Sequence, residues 1–314
     1  MLSARDDPRM SDANTCMWDP LRRRFIAFTK RHLISPRTLG DMGTWVRARG
    51  ISFSDDFEHW TPPVTCLVPD AQDPRDMQFY NQSAWATEGM YVGLLEAYHA
   101  SYRDPEMAYK RDLQLISSRD GELWWRAADR QVFLPPGAEG EWDSHLLDLN
   151  AAPPTLIGDE LWFFYGGRDY PHEQHPEFWP SDRPRRAAIG LATLRREGYV
   201  SLDAGVEPGT VTTRPIRFAE GKRLFVNADA RGGSIAVEVC RVNVSEARPG
   251  LPRGIKYRVE DALPGWGRDD AVPITEDATR LPVRWRGGDA LPERDWFSLR
   301  FVLRNASLYG FWAE

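Results

Sequence analysis

Short apolar runs separated by turn residues set the texture of the first two-thirds of the chain. Arg24-Phe-Ile-Ala-Phe-Thr29, Met90-Tyr-Val-Gly-Leu-Leu95, Leu161-Trp-Phe-Phe-Tyr165 and Ala188-Ile-Gly-Leu-Ala-Thr193 are rich in aromatic and β-branched residues. Runs of this length and make-up predict strands rather than helices. Only Pro105 to Gln114 reads as a helical turn. Beyond Ala204-Gly-Val-Glu-Pro-Gly209 the pattern becomes apolar–polar alternation, as in Arg223-Leu-Phe-Val-Asn227, Ser234-Ile-Ala-Val-Glu-Val239 and Phe297-Ser-Leu-Arg-Phe-Val-Leu-Arg304. A period of two at this spacing predicts an antiparallel sandwich. The expected fold class is all-β, with one domain over residues 1–203 and a second over 204–314.

The first domain carries a repeat. Ser54-Asp-Asp-Phe-Glu-His-Trp60 and Ser118-Arg-Asp-Gly-Glu-Leu-Trp124 share the pattern S-x-D-x-x-x-W, about 64 residues apart. Each lies downstream of an apolar run. The third such run, Leu161–Tyr165, leads to Ile189–Leu202, which occupies the same place without the Asp and Trp. Turn pairs precede the strands at Asp19-Pro20, Glu88-Gly89 and Gly158-Asp159. Three units of about 65 residues, each with room for four short strands, predict blades of a β-propeller. In that frame the motif Asp bonds turn amides and the Trp covers the gap between blades. The competing reading makes Trp60 or Trp124 a platform for stacking a sugar.

Composition narrows the function. The 314 residues include 46 Asp and Glu against 40 Lys and Arg, so no excess of basic charge points to nucleic acid. Arginine runs at Arg22–Arg24 and Arg185–Arg186 read as solvated faces. Cys16, Cys66 and Cys240 are odd in number and far apart, which predicts neither a disulfide framework nor a Cys-based metal site. No apolar stretch is long enough for a membrane helix, and the start, Met1 to Pro8, has no apolar core of a signal peptide. Those residues read as cytoplasmic, or as secreted or periplasmic if a further segment precedes them. Nucleotide and metalloprotease fingerprints are missing, so no cofactor and no metal are expected.

Ile189-Gly-Leu-Ala-Thr-Leu-Arg-Arg-Glu-Gly-Tyr-Val-Ser-Leu202, Arg223–Glu238, Val283–Gly288 and Leu299–Tyr309 resemble, in order, a bacterial group of the invertase/arabinanase superfamily. Asn14–Pro20 and Trp142–Gly167 fit the same group. Its members look like glycoside hydrolase families 32 and 43, which implies a five-bladed propeller followed by a β-sandwich. Three units cannot close a ring. The resemblance therefore implies either two more units before Met1, carrying the first-blade Asp that those families use as base or nucleophile, or a degenerate relative that lacks them. The expectation is a partial, about three-blade propeller of the five-bladed type.

Glycoside hydrolysis needs two carboxyl groups flanking the bond, one to protonate the leaving oxygen and one to attack or to activate water. Acids at the head of each unit are the candidates: Asp12, Asp76 and Asp143. The bland alternative is that each caps a turn. Tyr80, Asn81, Glu88, His99, His145 and Arg168 are the candidates for binding substrate. Glu96, at the end of an apolar run beside Tyr98-His99, reads either as a buried acid with a raised pKa or as a strand-edge charge. Three functions are open: a glycosidase, a non-catalytic carbohydrate-binding or structural protein, and a phosphorolytic relative, which would gather cations as Arg168 and His145 hint. The expected partner is a carbohydrate, without nucleic acid or membrane, and open blade edges favour self-association.

Overall fold

The computed structural model describes residues 11–34, 45–100, 109–172, 182–218, 221–245, 256–293 and 296–314. The N-terminal stretch read for a leader, and residues 105–108 of the expected helical turn, lie outside them. Contacts divide the chain into two compact units, Met1–Ile157 with Trp162–Thr193, and Gly158–Leu161 with Leu194–Glu314. The fold is all-β.

In the first unit, β1 (Thr15–Asp19), β2 (Arg24–Ile34), β3 (Trp45–Ser54) and β4 (Val64–Leu67) form one antiparallel sheet. A second sheet begins with β5 (Met77–Thr87), β6 (Met90–His99) and β7 (Arg111–Ser118), and the short β8 (Trp125–Arg126) and β9 (Val132–Leu134) pair with β7. It continues through β10 (Leu146–Asp148), β11 (Thr155–Ile157), β12 (Glu160–Arg168) and β13 (Ala187–Arg195). Successive antiparallel meanders of this kind are the arrangement of a partial propeller. Arg111 to Gln114 belong to β7 and not to a helical turn: all four are buried and their backbone pairs with β6.

The apolar runs form the core between the first two meanders: Ile26, Phe28 and Ile51 pack with Phe79, Ala84, Tyr91, Leu95 and Trp124. The S-x-D-x-x-x-W motif builds the same turn twice. Ser54 Oγ accepts from the Phe57 N–H (2.8 Å), and Asp56 Oδ1 from the amides of Glu58 (2.9 Å) and His59 (2.7 Å). Ser118 and Asp120 repeat this at Gly121 (2.8 Å), Glu122 (2.9 Å) and Leu123 (2.8 Å). The fourth residue is left-handed in both, Phe57 at φ 67° and Gly121 at φ 68°. Trp124 then packs edge-on against Phe28 at 5.3 Å, bridging the two meanders.

The second unit holds two four-stranded antiparallel sheets. One contains β14 (Leu202–Ala204), β16 (Leu224–Asp229), β19 (Asp277–Pro282) and β21 (Ala306–Ala313). The other contains β15 (Gly209–Thr212), β17 (Ser234–Ser245), β18 (Lys256–Ala262) and β20 (Phe297–Arg304). Alternating residues from both enter one core: Leu224, Val226 and Ala228 against Ile235, Val237, Val239, Leu299 and Phe301. This is a sandwich-like unit, as the alternation predicts.

Candidate functional site

A register irregularity in β5 shapes the site. Phe79 pairs with Ala97 and Gln82 with Leu95, so Tyr80 and Asn81 together stand opposite the single residue Glu96. This is a β-bulge, a device that re-aims side chains. It also changes the phase of the strand: Met77 and Phe79 face the core before it, Ala84 and Ala86 after it. On β6, Leu95 and Ala97 face that core, so Glu96 and Tyr98 lie on the opposite face.

The neighbouring strands bring charges to that face. Tyr98 lies opposite Arg111 on β7, and Arg111 is level with Leu146 on the parallel β10, itself opposite Arg168 on β12. Two backbone bonds hold the row, Arg111 N–H to His145 O (2.8 Å) and His145 N–H to Arg168 O (3.0 Å). Asp148 is two residues along β10 and shares the face of Leu146. Arg111 Nη1 lies 3.0 Å from Glu96 Oε2, and its Nη2 donates to Asp148 Oδ1. Arg168 Nη2 reaches Asp148 Oδ2 at 2.8 Å, and the Leu149 N–H donates to Glu96 Oε1 at 2.9 Å. A cavity of about 180 Å³ opens here, lined by Tyr80, Asn81, Glu96, Arg111, Asp148 and Arg168 with Ala13, Leu149 and His172.

Burial dominates the electrostatics. It lifts the Glu96 carboxyl above its ordinary value, with Asp148 adding to the rise and Arg111 opposing it. Burial, helped by the charges of Arg111, Arg47 and Lys30, holds the His172 imidazole below its ordinary value. Tyr80 is the hub of the aromatic contacts: Lys30 Nζ sits 3.6 Å and the Arg111 guanidinium 4.4 Å from its ring centre, and His172 meets it edge-on at 4.9 Å.

Of the residues selected from sequence, Tyr80, Asn81 and Arg168 line the cavity. Asp12 does not, but its exposed carboxylate accepts from Lys30 Nζ (2.6 Å), the ammonium above Tyr80. Asp76 lies in the turn before β5, where its carbonyl accepts from the Ala100 N–H at 3.1 Å. Asp143 Oδ2 accepts from the Tyr165 hydroxyl at 2.8 Å, beside Gly167. His99 is buried, with Nε2 3.2 Å from Asp112 Oδ2. His145 serves the strand row through its backbone, and its imidazole lies 3.2 Å from Ser144 Oγ. Glu88 is exposed in the β5–β6 turn, left-handed at φ 44°, roughly 23 Å along the strand from Asn81 at about 3.3 Å per residue.

Arg111, Asp148 and His172 were not among those selected. The phase slip between Phe79 and Ala84 is the sequence signal that marks the bulge. Among the described residues no three His, Cys, Asp or Glu side chains gather to hold a metal ion. No helix there is long and apolar enough to cross a membrane.

No family model and no curated protein matches the chain. Solved structures do, at low identity. An N-acetylgalactosamine deacetylase from F. plautii, in complex with blood group B trisaccharide, is 18% identical over 60% of this chain and 50% of its own, with a TM-score of 0.41. For a β-1,2-mannobiose phosphorylase from Listeria innocua the values are 15%, 55%, 38% and 0.35. For a glycoside hydrolase family 32 β-fructofuranosidase from Bombyx mori they are 9%, 97%, 79% and 0.37. The chain thus spans about half the length of the deacetylase and 38% of the phosphorylase.

Proposed function

We propose that the cavity on the bulged face of the first unit binds a carbohydrate and that Glu96 and Asp148 act on its glycosidic bond. One observation carries this reading: two carboxyl groups meet on a single guanidinium at the cavity wall, in unlike surroundings. Glu96 is buried with its proton affinity raised, which suits the group that protonates a leaving oxygen. Asp148 is partly exposed and held by two arginines, which suits the ionised partner. Tyr80 offers a ring face and Asn81 an amide, both suited to a polyol. Of the three head-of-unit acids, Asp12 enters this reading through Lys30, which it anchors above Tyr80. In this reading the first unit is the propeller part and the second a supporting sandwich.

The test is turnover on a panel of aryl glycosides and oligosaccharides. Glu96→Gln should lower turnover at least 100-fold, the scale of general acid catalysis, while binding persists. Unchanged turnover in Glu96→Gln would refute the assignment. The ion pairing of both carboxylates with arginine favours a second reading, a binding protein without turnover. It predicts that the intact protein retains oligosaccharide and releases no product.

A further inference from the structure

The two copies of the turn motif part at their fourth residue. In both, the motif serine stands opposite an aromatic residue on the preceding strand, Ser54 opposite Phe25 and Ser118 opposite Tyr91. In both, the indole N–H of the motif Trp donates to the carbonyl of the fourth residue, Trp60 to Phe57 at 2.9 Å and Trp124 to Gly121 at 3.3 Å. The second copy is closed. Tyr91 and Trp124 are buried in the core shared with the first sheet, and the Tyr91 hydroxyl donates to Asp19 at 2.7 Å. A Cβ at Gly121 would lie 3.1 Å from the Tyr91 ring and 3.3 Å from Ile26, so the joint leaves no room for a side chain there.

The first copy carries a phenylalanine at that place. Phe57 holds φ 67°, a left-handed backbone that bulky residues rarely adopt, and is 56% exposed. Glycine would avoid both penalties. The Phe57 ring stands edge-on to Phe25 at 5.0 Å and to Trp60 at 5.6 Å, and Trp18, 47% exposed, meets Phe25 at 4.8 Å. A sheet packed here as the first is packed on the second would collide with Phe57. Trp18 and Phe57 together expose roughly 200 Å², well short of the about 800 Å² that each partner gives to a stable protein interface. Asp56 and His59 of the same turn are also exposed, paired Oδ2 to Nδ1 at 2.7 Å. A pyranose has an apolar face of C–H bonds and a rim of hydroxyls, the complement of aromatic rings bordered by a carboxylate and an imidazole.

We infer that Trp18, Phe25, Phe57 and Trp60 form a second carbohydrate site, which stacks the sugar rings of a polysaccharide chain. It is separate from the cavity, because Phe25 lies roughly 17 Å along β2 from Lys30, the residue above Tyr80, at about 3.3 Å per residue. The inference rests on the carbohydrate reading above for the class of ligand.

The test is affinity electrophoresis of the full chain through gels that hold soluble xylan, galactomannan or mixed-linkage β-glucan. Wild type is compared with Phe57→Gly, Trp18→Ala and their combination. Phe57→Gly installs the residue that the second copy carries at the same φ, so the turn keeps its fold. At least one polysaccharide should retard the wild type. Affinity should fall about tenfold in either single variant, the scale of one stacked ring, and vanish in the double variant. Tyr80→Ala, altered in the cavity, should stay retarded. Equal retardation of wild type and both single variants, or none in any gel, would overturn the inference and leave the cavity to its own turnover test. Loss of retardation in Tyr80→Ala would overturn it by assigning the polysaccharide to the cavity. Concentration-dependent association in ultracentrifugation that Phe57→Gly abolishes would overturn it by giving the patch to a second copy of the chain. Retardation that depends on Phe57, with no glycoside turned over, would uphold this site and count against the cavity reading.

Discussion

Replacing Arg111 by methionine removes a buried cation while keeping a side chain of similar reach. Two carboxyl groups lose a partner, but unequally. Asp148 keeps Arg168 at 2.8 Å and is 30% exposed, so water and that arginine still carry its charge. Glu96, only 2% exposed, keeps the Leu149 N–H as its one hydrogen-bond donor among the described residues. The loss is therefore close to that of one stranded buried carboxylate, about 3 kcal/mol, the low end for breaking a buried pair. Burial already raises Glu96, and Arg111 opposes that rise, so the variant raises it further. An acid whose folded pKa exceeds its unfolded one destabilises the fold above the folded value, and the penalty fades as pH falls towards the unfolded one. The loss in Arg111→Met should be full at pH 8 and smaller at pH 5, with each tenfold gain in proton affinity worth about 1.4 kcal/mol. Urea unfolding of wild type, Arg111→Met and the double variant Arg111→Met/Glu96→Gln at both pH values reads this directly. The double variant should regain most of the loss at pH 8. An equal loss at both pH values, or a double variant no more stable than the single one, would refute the reasoning.

Three further outcomes follow from other parts of the first unit. Asp120→Ala removes the acceptor of two turn amides and should cost about 1–2 kcal/mol, as loss of a comparable cap does; a chemical denaturation midpoint within error of wild type would contradict this. Gly121→Ala places a Cβ 3.1 Å from the Tyr91 ring at φ +68°, and should cost more than about 1 kcal/mol through strain and crowding; wild-type thermal stability would count against it. The Lys30 ammonium should titrate near 8 in an NMR experiment on labelled lysines, and Asp12→Asn should move it lower still, since Asp12 holds the proton on. A lysine with a depressed folded pKa weakens the fold increasingly as pH falls from its ordinary value of 10.5 to the folded value of about 8, and the weakening levels off below that. A midpoint above 10 would show that Lys30 is solvated.

The strands were legible because their signals are local. Ser234–Val239 alternates visibly, and the Ser54–Trp60 and Ser118–Trp124 turns carry their own hydrogen-bond donors and acceptors within seven residues. Tyr80, Asn81 and Arg168 stood out as polar residues beside apolar runs, and Glu96 as an acid at the end of one. Arg111 and Asp148 did not stand out, because their meaning comes from the parallel step between β7 and β10. That step joins residues 37 apart with no motif at either end. The ring cluster of Trp18, Phe25 and Phe57 was hidden for a related reason. Each ring is unremarkable in its own segment, and the three meet only once the register is set.

The bulge at Tyr80-Asn81 makes chain length, as much as residue identity, a property of the site. Because the inward phase of β5 changes there, removing either residue would restore one-to-one pairing with β6 and a single unbroken alternation along β5. Met77, Phe79, Ala84 and Ala86 would all still face the core, and one residue would stand opposite Glu96 where two stand now. Substitutions at Tyr80 and Asn81 can therefore vary what the cavity recognises at modest cost to folding. A single-residue deletion would instead leave the core strand in register and take away one of the two adjacent residues that line the cavity. Relatives that keep this cavity should keep both positions while differing freely in their chemistry, whereas relatives that share only the fold can lose one of them.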